Sequence, residues 1–214
     1  MPTKWHEEQR HKNREDILSA AEEVFLENDF SGVGMKDIVA RAGVSRVTVY
    51  KHFNSIDELA FEVQMQLMCS LNKFILSRSP TTGSAIERLY QQLLGWVDYA
   101  REHPNHFRYM GFFDHYYRDR YPSEELRIRY HRFVTELPTP LKVLREGVQD
   151  GTVRTDLDLE RVSATIVHSM TSLLQRITSR GEIIKEQHDV DPLELSIVQV
   201  SMIIQSIMRT PTQK

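Results

Sequence analysis

The chain of 214 residues has one cysteine, few glycines and prolines, and no excess of basic residues. A single cysteine, Cys69, excludes an internal disulfide and a zinc site built on several thiolates. The uncharged stretches 162–175 and 196–208 are shorter than the roughly 20 apolar residues that cross a bilayer. The N-terminus also lacks the apolar run of a signal peptide. We therefore expect a cytoplasmic protein with no membrane partner.

The charge summed over the whole chain argues against a nucleic-acid binder. There are 27 Lys+Arg against 30 Asp+Glu, for a formal net charge of -3, whereas such binders usually carry excess Lys and Arg. The placement of charge differs from its sum, because residues 41–53 include Arg41, Arg46 and Lys51 and no acidic residue. A local basic tip therefore keeps DNA binding open.

The remaining composition suits a helical globular protein. Hydrophobic residues make up 40% of the chain and charged residues 27%, which excludes disorder. Apolar residues recur at helical spacing and no period-two alternation is found, so we predict an all-α fold. Four helices are predicted in the first part of the chain. The first runs from about Arg10 to Asn28, and the second covers residues 35–42. The third begins after its cap Ser45, and the fourth runs from the capping box at Ser55 to about Leu76. Residues 1–54 are predicted to form a DNA-binding domain and residues 55–214 a larger helical body.

Residues 35–53 have the pattern of a helix-turn-helix. Two short helices flank a turn that contains Gly43, and Ser45 can cap the second helix through the backbone N–H of Thr48. In this motif the second helix enters the major groove of DNA and the first braces it. The outward side chains of the second helix are expected to be Arg46, Thr48, Tyr50, Lys51 and His52.

Several short motifs together closely resemble the N-terminal domain of TetR-family transcriptional regulators. They are Ile17-Leu18-x-Ala20-Ala21-x-x-x-Phe25, Met35-x-Asp37-Ile38, Ala42-Gly43-Val44-Ser45, Val47-Thr48-Val49-Tyr50-Lys51-His52-Phe53 and Ser55-x-x-Glu58-Leu59. The resemblance covers roughly residues 10–60. It implies a homodimer in which three helices bind DNA, a fourth helix links them to the body, and a C-terminal domain binds an effector.

The resemblance also implies which residues face DNA. The predicted DNA-binding residues are Lys36, Ser45, Arg46, Thr48, Tyr50, Lys51 and His52. We expect Tyr50 and Lys51 at phosphates, and Arg46 with Thr48 at base edges. Two positions depart from the family pattern: Gly34 stands where Ser or Thr is common, and Ile56 stands where Lys is common. One side-chain cap and one phosphate contact are therefore expected to be missing.

The segment from Tyr90 to Tyr121 holds 10 of the 19 aromatic residues. An enclosed pocket needs large rigid apolar walls with a few polar groups, although core packing explains any single one of these residues as well. The predicted effector-binding residues are Trp96, Tyr99, His103, Phe107, Met110, Phe113 and Tyr117. Carboxylates beside aromatic faces would suit a cationic lipophilic ligand, and four lie in the segment: Asp98, Glu102, Asp114 and Asp119.

The histidines of this segment raise the question of a metal site. They are His103, His106 and His115. Pro104 separates the first two, and no thiolate is nearby. A ferritin-like enzyme needs two Glu-x-x-His motifs in its bundle, and the one such spacing, Glu8 to His11, lies in the N-terminal extension. No nucleophile set or Gly-rich phosphate loop is found. We therefore predict no metal, no cofactor and no enzymatic activity.

The last two predicted helices carry apolar residues on more than one face. These residues are Ile166, Met170 and Ile177 beside Val167 and Leu174, and Ile197, Ile204 and Ile207 beside Val198 and Met202. Such helices need a partner surface as well as a core, and dimerisation through them predicts a palindromic operator. The sequence favours a repressor released from double-stranded DNA by a small hydrophobic effector. An activator or ligand-independent regulator with the same head, and a helical-bundle enzyme or interaction module, remain alternatives.

Overall fold

The computed structural model describes residues 4–28 and 32–209. Its helices are α1 (Lys4–Glu27), α2 (Met35–Ala42), α3 (Arg46–His52), α4 (Ile56–Arg78), α5 (Ala85–Glu102), α6 (Pro104–Tyr116), α7 (Glu124–Glu136), α8 (Leu141–Asp150), α9 (Leu159–His188) and α10 (Pro192–Ile207). These residues contain no β-strand, and one isolated antiparallel bridge joins Val153 to Met208. The all-α prediction is confirmed.

Local hydrogen bonds explain where many of the helices begin and end. The side chains of Ser45, Ser84, Asp158 and Asp191 each accept a backbone N–H from the first turn of α3, α5, α9 and α10 respectively. Gly43 ends α2 with a φ of 64°, in the left-handed region that favours glycine. The cap predicted at Ser45 is confirmed.

The first helix is longer than predicted. It begins at Lys4 and not near Arg10, because its first turns are exposed and polar and leave no hydrophobic pattern to detect. Pairs one turn apart support this extension, such as the Gln9 amide donating to Asn13 Oδ1 at 2.9 Å. At the other end α1 stops at Glu27, and the Asn28 amide donates to the carbonyl of Val24 at 2.8 Å.

The start of α4 forms only half of the predicted capping box. Ser55 Oγ accepts the backbone N–H of Glu58 at 3.1 Å, as predicted. The Glu58 carboxylate accepts instead from the backbone N–H of Asn54 at 2.8 Å. The helix then continues to Arg78, slightly beyond the predicted end at Leu76.

The chain divides into two compact units. The first comprises residues 1–68 and 112–136, and the second comprises 69–111 and 137–214. In the first unit α1 packs on α2 and α3, and burial of their apolar side chains stabilises the head. The predicted functional boundary between residues 54 and 55 stays a prediction. The buried side chains of these three helices include Ile17, Ala21, Val24, Phe25, Ile38 and Val49.

In the second unit α5 packs against α8, α9 and α10. Gly147 of α8 accepts the backbone N–H groups of Thr152 and Val153, each at 2.9 Å, so the turn after α8 folds back on the helix. No single described helix is long and apolar enough to span a membrane, although α9 and α10, bent by 95°, reach that threshold as a pair. The core of this unit includes Leu89, Leu93, Val97, Leu144, Met170, Leu174, Ile177 and Val200.

Candidate DNA-binding surface and effector groove

The helix α3 is fixed at both ends by its own turn residues. Ser45 Oγ accepts the backbone N–H of Thr48 at 3.1 Å and lies 2.9 Å from the Thr48 hydroxyl. At the other end Phe53, which is buried, donates its backbone N–H to the carbonyl of Val49 at 3.0 Å. The two predicted hydroxyl contacts, at Ser45 and Thr48, therefore lie at the helix start and take part in its cap.

One face of α3 is open to solvent and carries no acidic group. It consists of Arg46, Val47, Tyr50 and Lys51, which line a shallow depression of about 400 Å³. The Arg46 guanidinium lies 5.4 Å from the centre of the Tyr50 ring, so the two side chains support one another. We call these four residues the recognition face. Their cationic and hydroxyl groups are of the kinds that bind phosphates and base edges, and an α-helix fits the width of a major groove.

Val47 is a surface residue that the sequence reasoning missed. Its side chain is 66% exposed, although β-branched apolar residues are usually buried. Its position three residues before Tyr50 and four before Lys51 places it on the same side of the helix, and that spacing was the available signal. A branched apolar group on this face can contact a thymine methyl group.

The positive charge of the basic tip predicted over residues 41–53 is partly offset by neighbouring carboxylates. Arg41 forms ion pairs with Glu23 at 2.9 Å and Glu27 at 2.6 Å on α1, and these carboxylates raise its pKa. Its charge is therefore offset within the head. Lys36 and the cations of the recognition face, Arg46 and Lys51, are exposed.

His52 differs from the other predicted DNA-binding residues. It is half-buried beside Phe53, with ring centres 6.4 Å apart. Burial lowers the pKa of His52, and the nearby charges of Arg10, Arg14 and Lys51 lower it further. A neutral ring on the α1 side of the helix is not part of the recognition face.

The seven predicted effector residues fall in both compact units. Trp96, Tyr99, His103, Phe107 and Met110 belong to the second unit, and Phe113 and Tyr117 belong to the first. Most of their aromatic surface fills cores, since four of the seven are buried: Tyr99, Phe107, Met110 and Phe113. The residues that cluster in sequence are thus assigned to two units.

In the second unit the aromatic group is organised around Tyr99. Its hydroxyl lies 2.7 Å from His106 Nδ1, and the rings of His103 and His106 stack with centres 4.9 Å apart. Burial, followed by repulsion from His103, lowers the pKa of His106 to about 4. Within the described ranges no three metal-ligating side chains come together, and the stacked rings do not converge on a common point.

In the first unit the aromatic group surrounds Phe61 of α4. The rings within 6.0 Å of its centre are those of Phe113, Tyr117, Tyr121 and Tyr130. Tyr117 donates its hydroxyl to Asp57 Oδ1 at 2.7 Å. Burial and the Asp57 carboxylate raise the pKa of Tyr117, so its phenol keeps the proton that makes this bond.

Three of the four carboxylates that suggested a cationic ligand are paired with arginines within the protein. Asp98 binds Arg101 at 2.6 Å, and Glu102 binds Arg78 at 2.9 Å. Asp119 lies 3.4 Å from its neighbour Arg118. These exposed pairs offset part of the negative charge that was expected to attract a cation, and the preference for a cationic effector stays a prediction.

The largest described groove in the second unit lies between α4, α5 and α8, with a volume of about 890 Å³. We call it the α4–α5–α8 groove. Its apolar residues include Ile75, Leu89, Leu93, Trp96 and Val143. Its charged residues are Arg88, Lys142, Arg145 and Glu146. Arg88 binds Glu146 at 2.7 Å, and Arg145 binds Glu160 in an exposed pair at 2.8 Å. Trp96 is the one predicted effector residue that lines it.

Comparison with known proteins gives sequence matches to the head. Residues 17–63 match the family described as bacterial regulatory proteins, tetR family. The HTH-type transcriptional activator FasR of Mycolicibacterium smegmatis is 30% identical over 99 residues, which are 46% of this chain and 45% of FasR. The uncharacterized regulator Rv1255c of Mycobacterium tuberculosis is 30% identical over 88 residues, 41% of this chain and 44% of that protein. The chain thus spans slightly less than half the length of each relative.

Solved structures share the fold over nearly the whole chain. A TetR transcriptional regulator from Chloroflexus aurantiacus superposes with a TM-score of 0.69 and 17% identity, covering 95% of this chain and 100% of that one. The regulator FadR of Bacillus subtilis, solved in complex with stearoyl-CoA, superposes with a TM-score of 0.66 and 18% identity, covering 90% of this chain and 98% of that one. At these identities the likeness concerns the fold.

Proposed function

Since the chain belongs to the TetR family of transcriptional regulators, we propose that it is a DNA-binding regulator that represses transcription and is released from its operator by a small-molecule effector. The recognition face carries this proposal, because its four exposed side chains provide both phosphate-binding and base-reading groups without an opposing carboxylate. Such a regulator acts on the chromosome, which places it in the cytoplasm. It needs no cofactor and no catalytic residue.

The operator is proposed to be palindromic and bound by a homodimer. Exposed apolar side chains on α10, including Val198 and Met202, support a second copy of the chain as the partner. Of the residues predicted for this surface, Leu174, Ile166, Met170, Ile177 and Ile207 are buried in the protomer. The proposed dimer surface therefore rests mainly on α10.

A footprint on the DNA upstream of the protein's own gene tests the DNA-binding proposal. Operator and random DNA are then titrated with Arg46→Ala, Val47→Ala and Lys51→Ala over a range of salt. We expect Lys51→Ala to weaken binding to both DNAs. It should also reduce the salt dependence of the affinity by the amount that corresponds to about one phosphate contact. Arg46→Ala should cost roughly 1–3 kcal/mol on the operator alone. If Arg46→Ala loses the same affinity for operator and random DNA, Arg46 does not read bases. If the protein gives no footprint, the proposed function is wrong.

For the effector, we propose a lipophilic anion in the α4–α5–α8 groove. The groove combines an apolar side with Lys142, while its other two cations, Arg88 and Arg145, are paired with Glu146 and Glu160. An apolar chain with an acidic head placed at Lys142 suits this arrangement. The stearoyl-CoA bound by FadR is a ligand of that chemistry. An effector that favours one body conformation must weaken operator binding by the same factor by which the operator weakens effector binding.

Trp96 fluorescence tests this effector in a Trp5→Phe background, which leaves one tryptophan. Palmitoyl-CoA below its micellar concentration is expected to change the emission, and Lys142→Glu should weaken that binding roughly tenfold, as loss of a charge-assisted contact does. Glu125→Lys on α7 is the control for a surface charge change. A response to hexadecyltrimethylammonium alone would contradict an anionic effector.

An activator with the same head is the second candidate. The relative FasR bears the name of a transcriptional activator, and a TetR-type head serves either outcome. A promoter–reporter fusion distinguishes the two. Deleting the gene raises expression if the protein is a repressor and lowers it if the protein is an activator.

A further inference from the structure

A carboxylate on α4 joins α1 to α7 within the first compact unit. The Glu62 side chain is only 15% exposed. Its Oε2 accepts a hydrogen bond from Arg14 Nη2 at 2.7 Å, and its Oε1 accepts one from Arg129 Nη2. A carboxylate largely removed from water needs such compensation. The two guanidinium groups therefore hold α1 and α7 to the same point of α4.

Arg14 extends this contact to the end of α3. Its guanidinium carbon lies 5.1 Å from the centre of the Phe53 ring. Phe53 is buried and closes the last turn of α3 through its bond to Val49. A displacement of Arg14 would therefore disturb the residue that ends the recognition helix.

Arg129 reaches the same end of α3 by a second route. Its Nη1 lies 3.8 Å from Glu58 Oε1. Glu58 Oε2 in turn accepts from the backbone N–H of Asn54 at 2.8 Å and from its side-chain amide at 3.2 Å. Glu58 and Glu62 are one turn apart on α4, so one guanidinium from α7 contacts both carboxylates. Glu62 is thus connected through Arg14 to Phe53, and Glu58 contacts Asn54 directly; both residues directly follow α3.

The helix that carries Arg129 occupies a special place in the chain. Residues 112–136 pack in the first unit, whereas the residues on both sides of this segment belong to the second. Within the first unit the segment is held by the bond from Tyr117 to Asp57 and by the Gln64 amide, which lies 3.5 Å from the Tyr130 hydroxyl. The segment that carries α7 is therefore joined covalently to the second unit at residues 111 and 137.

We propose that Arg129 is a positioning residue for DNA binding, which sets the orientation of α3 through its contacts with Glu58 and Glu62. This inference rests on the proposed DNA-binding function and adds the residues that connect α7 to the recognition face. Arg129 itself does not contact DNA in this scheme. Its effect on affinity is indirect and independent of counterion release.

The experiment compares Arg129→Ala with Arg129→Lys and with Arg132→Ala. Arg132 lies one turn along α7 in an exposed pair with Glu136, so its removal deletes the same charge without touching α4. Operator affinity is measured across salt by fluorescence anisotropy. We expect Arg129→Ala to bind roughly tenfold more weakly with an unchanged salt slope. Arg129→Lys should recover part of the affinity, and Arg132→Ala should match the wild type.

A second measurement uses the free protein and separates this inference from the proposed function. Amide hydrogen exchange at Val49 and Phe53 should accelerate in Arg129→Ala and stay unchanged in Arg132→Ala. Unchanged exchange, or full operator affinity despite a lower Tm, overturns the positioning role. If the salt dependence of affinity in Arg129→Ala falls by the amount that corresponds to about one phosphate contact, Arg129 is a phosphate ligand, and the positioning role is also overturned. If the wild type binds no operator, the proposed function fails. The exchange data then still show whether Arg129 orients α3.

Discussion

His106 is held in its neutral form by its surroundings. Burial and the neighbouring His103 ring lower its pKa to about 4, whereas an unfolded histidine titrates near pH 6.5. The folded state therefore binds this proton less tightly than the unfolded state. The resulting stability is fully present above pH 6.5 and is lost as the pH falls toward 4, by at most about 3 kcal/mol.

We predict that His106→Gln flattens the acid limb of the stability curve. Urea unfolding at several pH values between 4 and 7 measures this, because the variant removes the group whose pKa differs between the two states. The variant should also be less stable at pH 7, since Tyr99 loses its partner at 2.7 Å. His115→Gln, at an exposed position, is the control. An unchanged acid limb in His106→Gln would contradict the prediction.

At single residues, sequence reasoning succeeded where the determinant is local. The cap at Ser45 depends on a residue three positions away, and it is formed as predicted. The burial of His52 and the exposure of Val47 depend on how α3 lies against α1. The outward orientation predicted for His52 is only partly met, because its ring is half-buried, and no burial or exposure was predicted for Val47.

The turn after α8 leaves no room for a side chain at Gly147. A Cβ there would clash with Val153 Cγ2 and stand 3.1 Å from Val153 Cβ. Val153 is buried and held by its backbone bond to Gly147, so it has little freedom to move. The close approach is therefore a requirement of the packing between α8 and this turn.

We predict that Gly147→Ala destabilises the protein by about 1–3 kcal/mol through overpacking. Gly95→Ala is the matched control, because a Cβ at Gly95 meets Ile75 at an ordinary 3.5 Å. That change should be neutral or stabilising by up to about 1 kcal/mol, since alanine favours a helix. Thermal unfolding of both variants measures the difference, and equal Tm values would refute it.

At the level of helices, the sequence predicted the existence and caps of most elements. It did not predict that residues 112–136 join the first unit. The contacts that place them there, such as Tyr117 with Asp57 and Arg129 with Glu62, join residues about 60 positions apart. Helical periodicity identifies the apolar side of a helix and carries no information about its partner.

At the scale of the whole molecule, exposed apolar side chains on α10 are the surface that we propose a second copy covers. Met202 is 65% exposed, and a large apolar side chain on a long helix is typical of a covered interface. We predict that Met202→Glu shifts the protein to monomer at micromolar concentration and weakens operator binding at least tenfold, because two linked heads bind far more tightly than one.

Analytical ultracentrifugation and an operator titration measure both effects. Ile128→Glu is the control, since Ile128 is also exposed and apolar but lies on α7. A Met202→Glu variant that stays dimeric with unchanged affinity would place the interface elsewhere. A wild type that is monomeric at micromolar concentration would contradict the dimer itself.

The helix α4 runs without a break from Ile56 to Arg78, about 35 Å at 1.5 Å per residue, and the two compact units meet within it between Met68 and Cys69. Cys69, the only thiol of the chain, therefore stands at this division and is half-buried. A spin label or fluorophore attached there needs no competing cysteine to be removed first. In the proposed dimer, one label on each copy would report a single inter-label distance, which can be measured with and without the proposed operator.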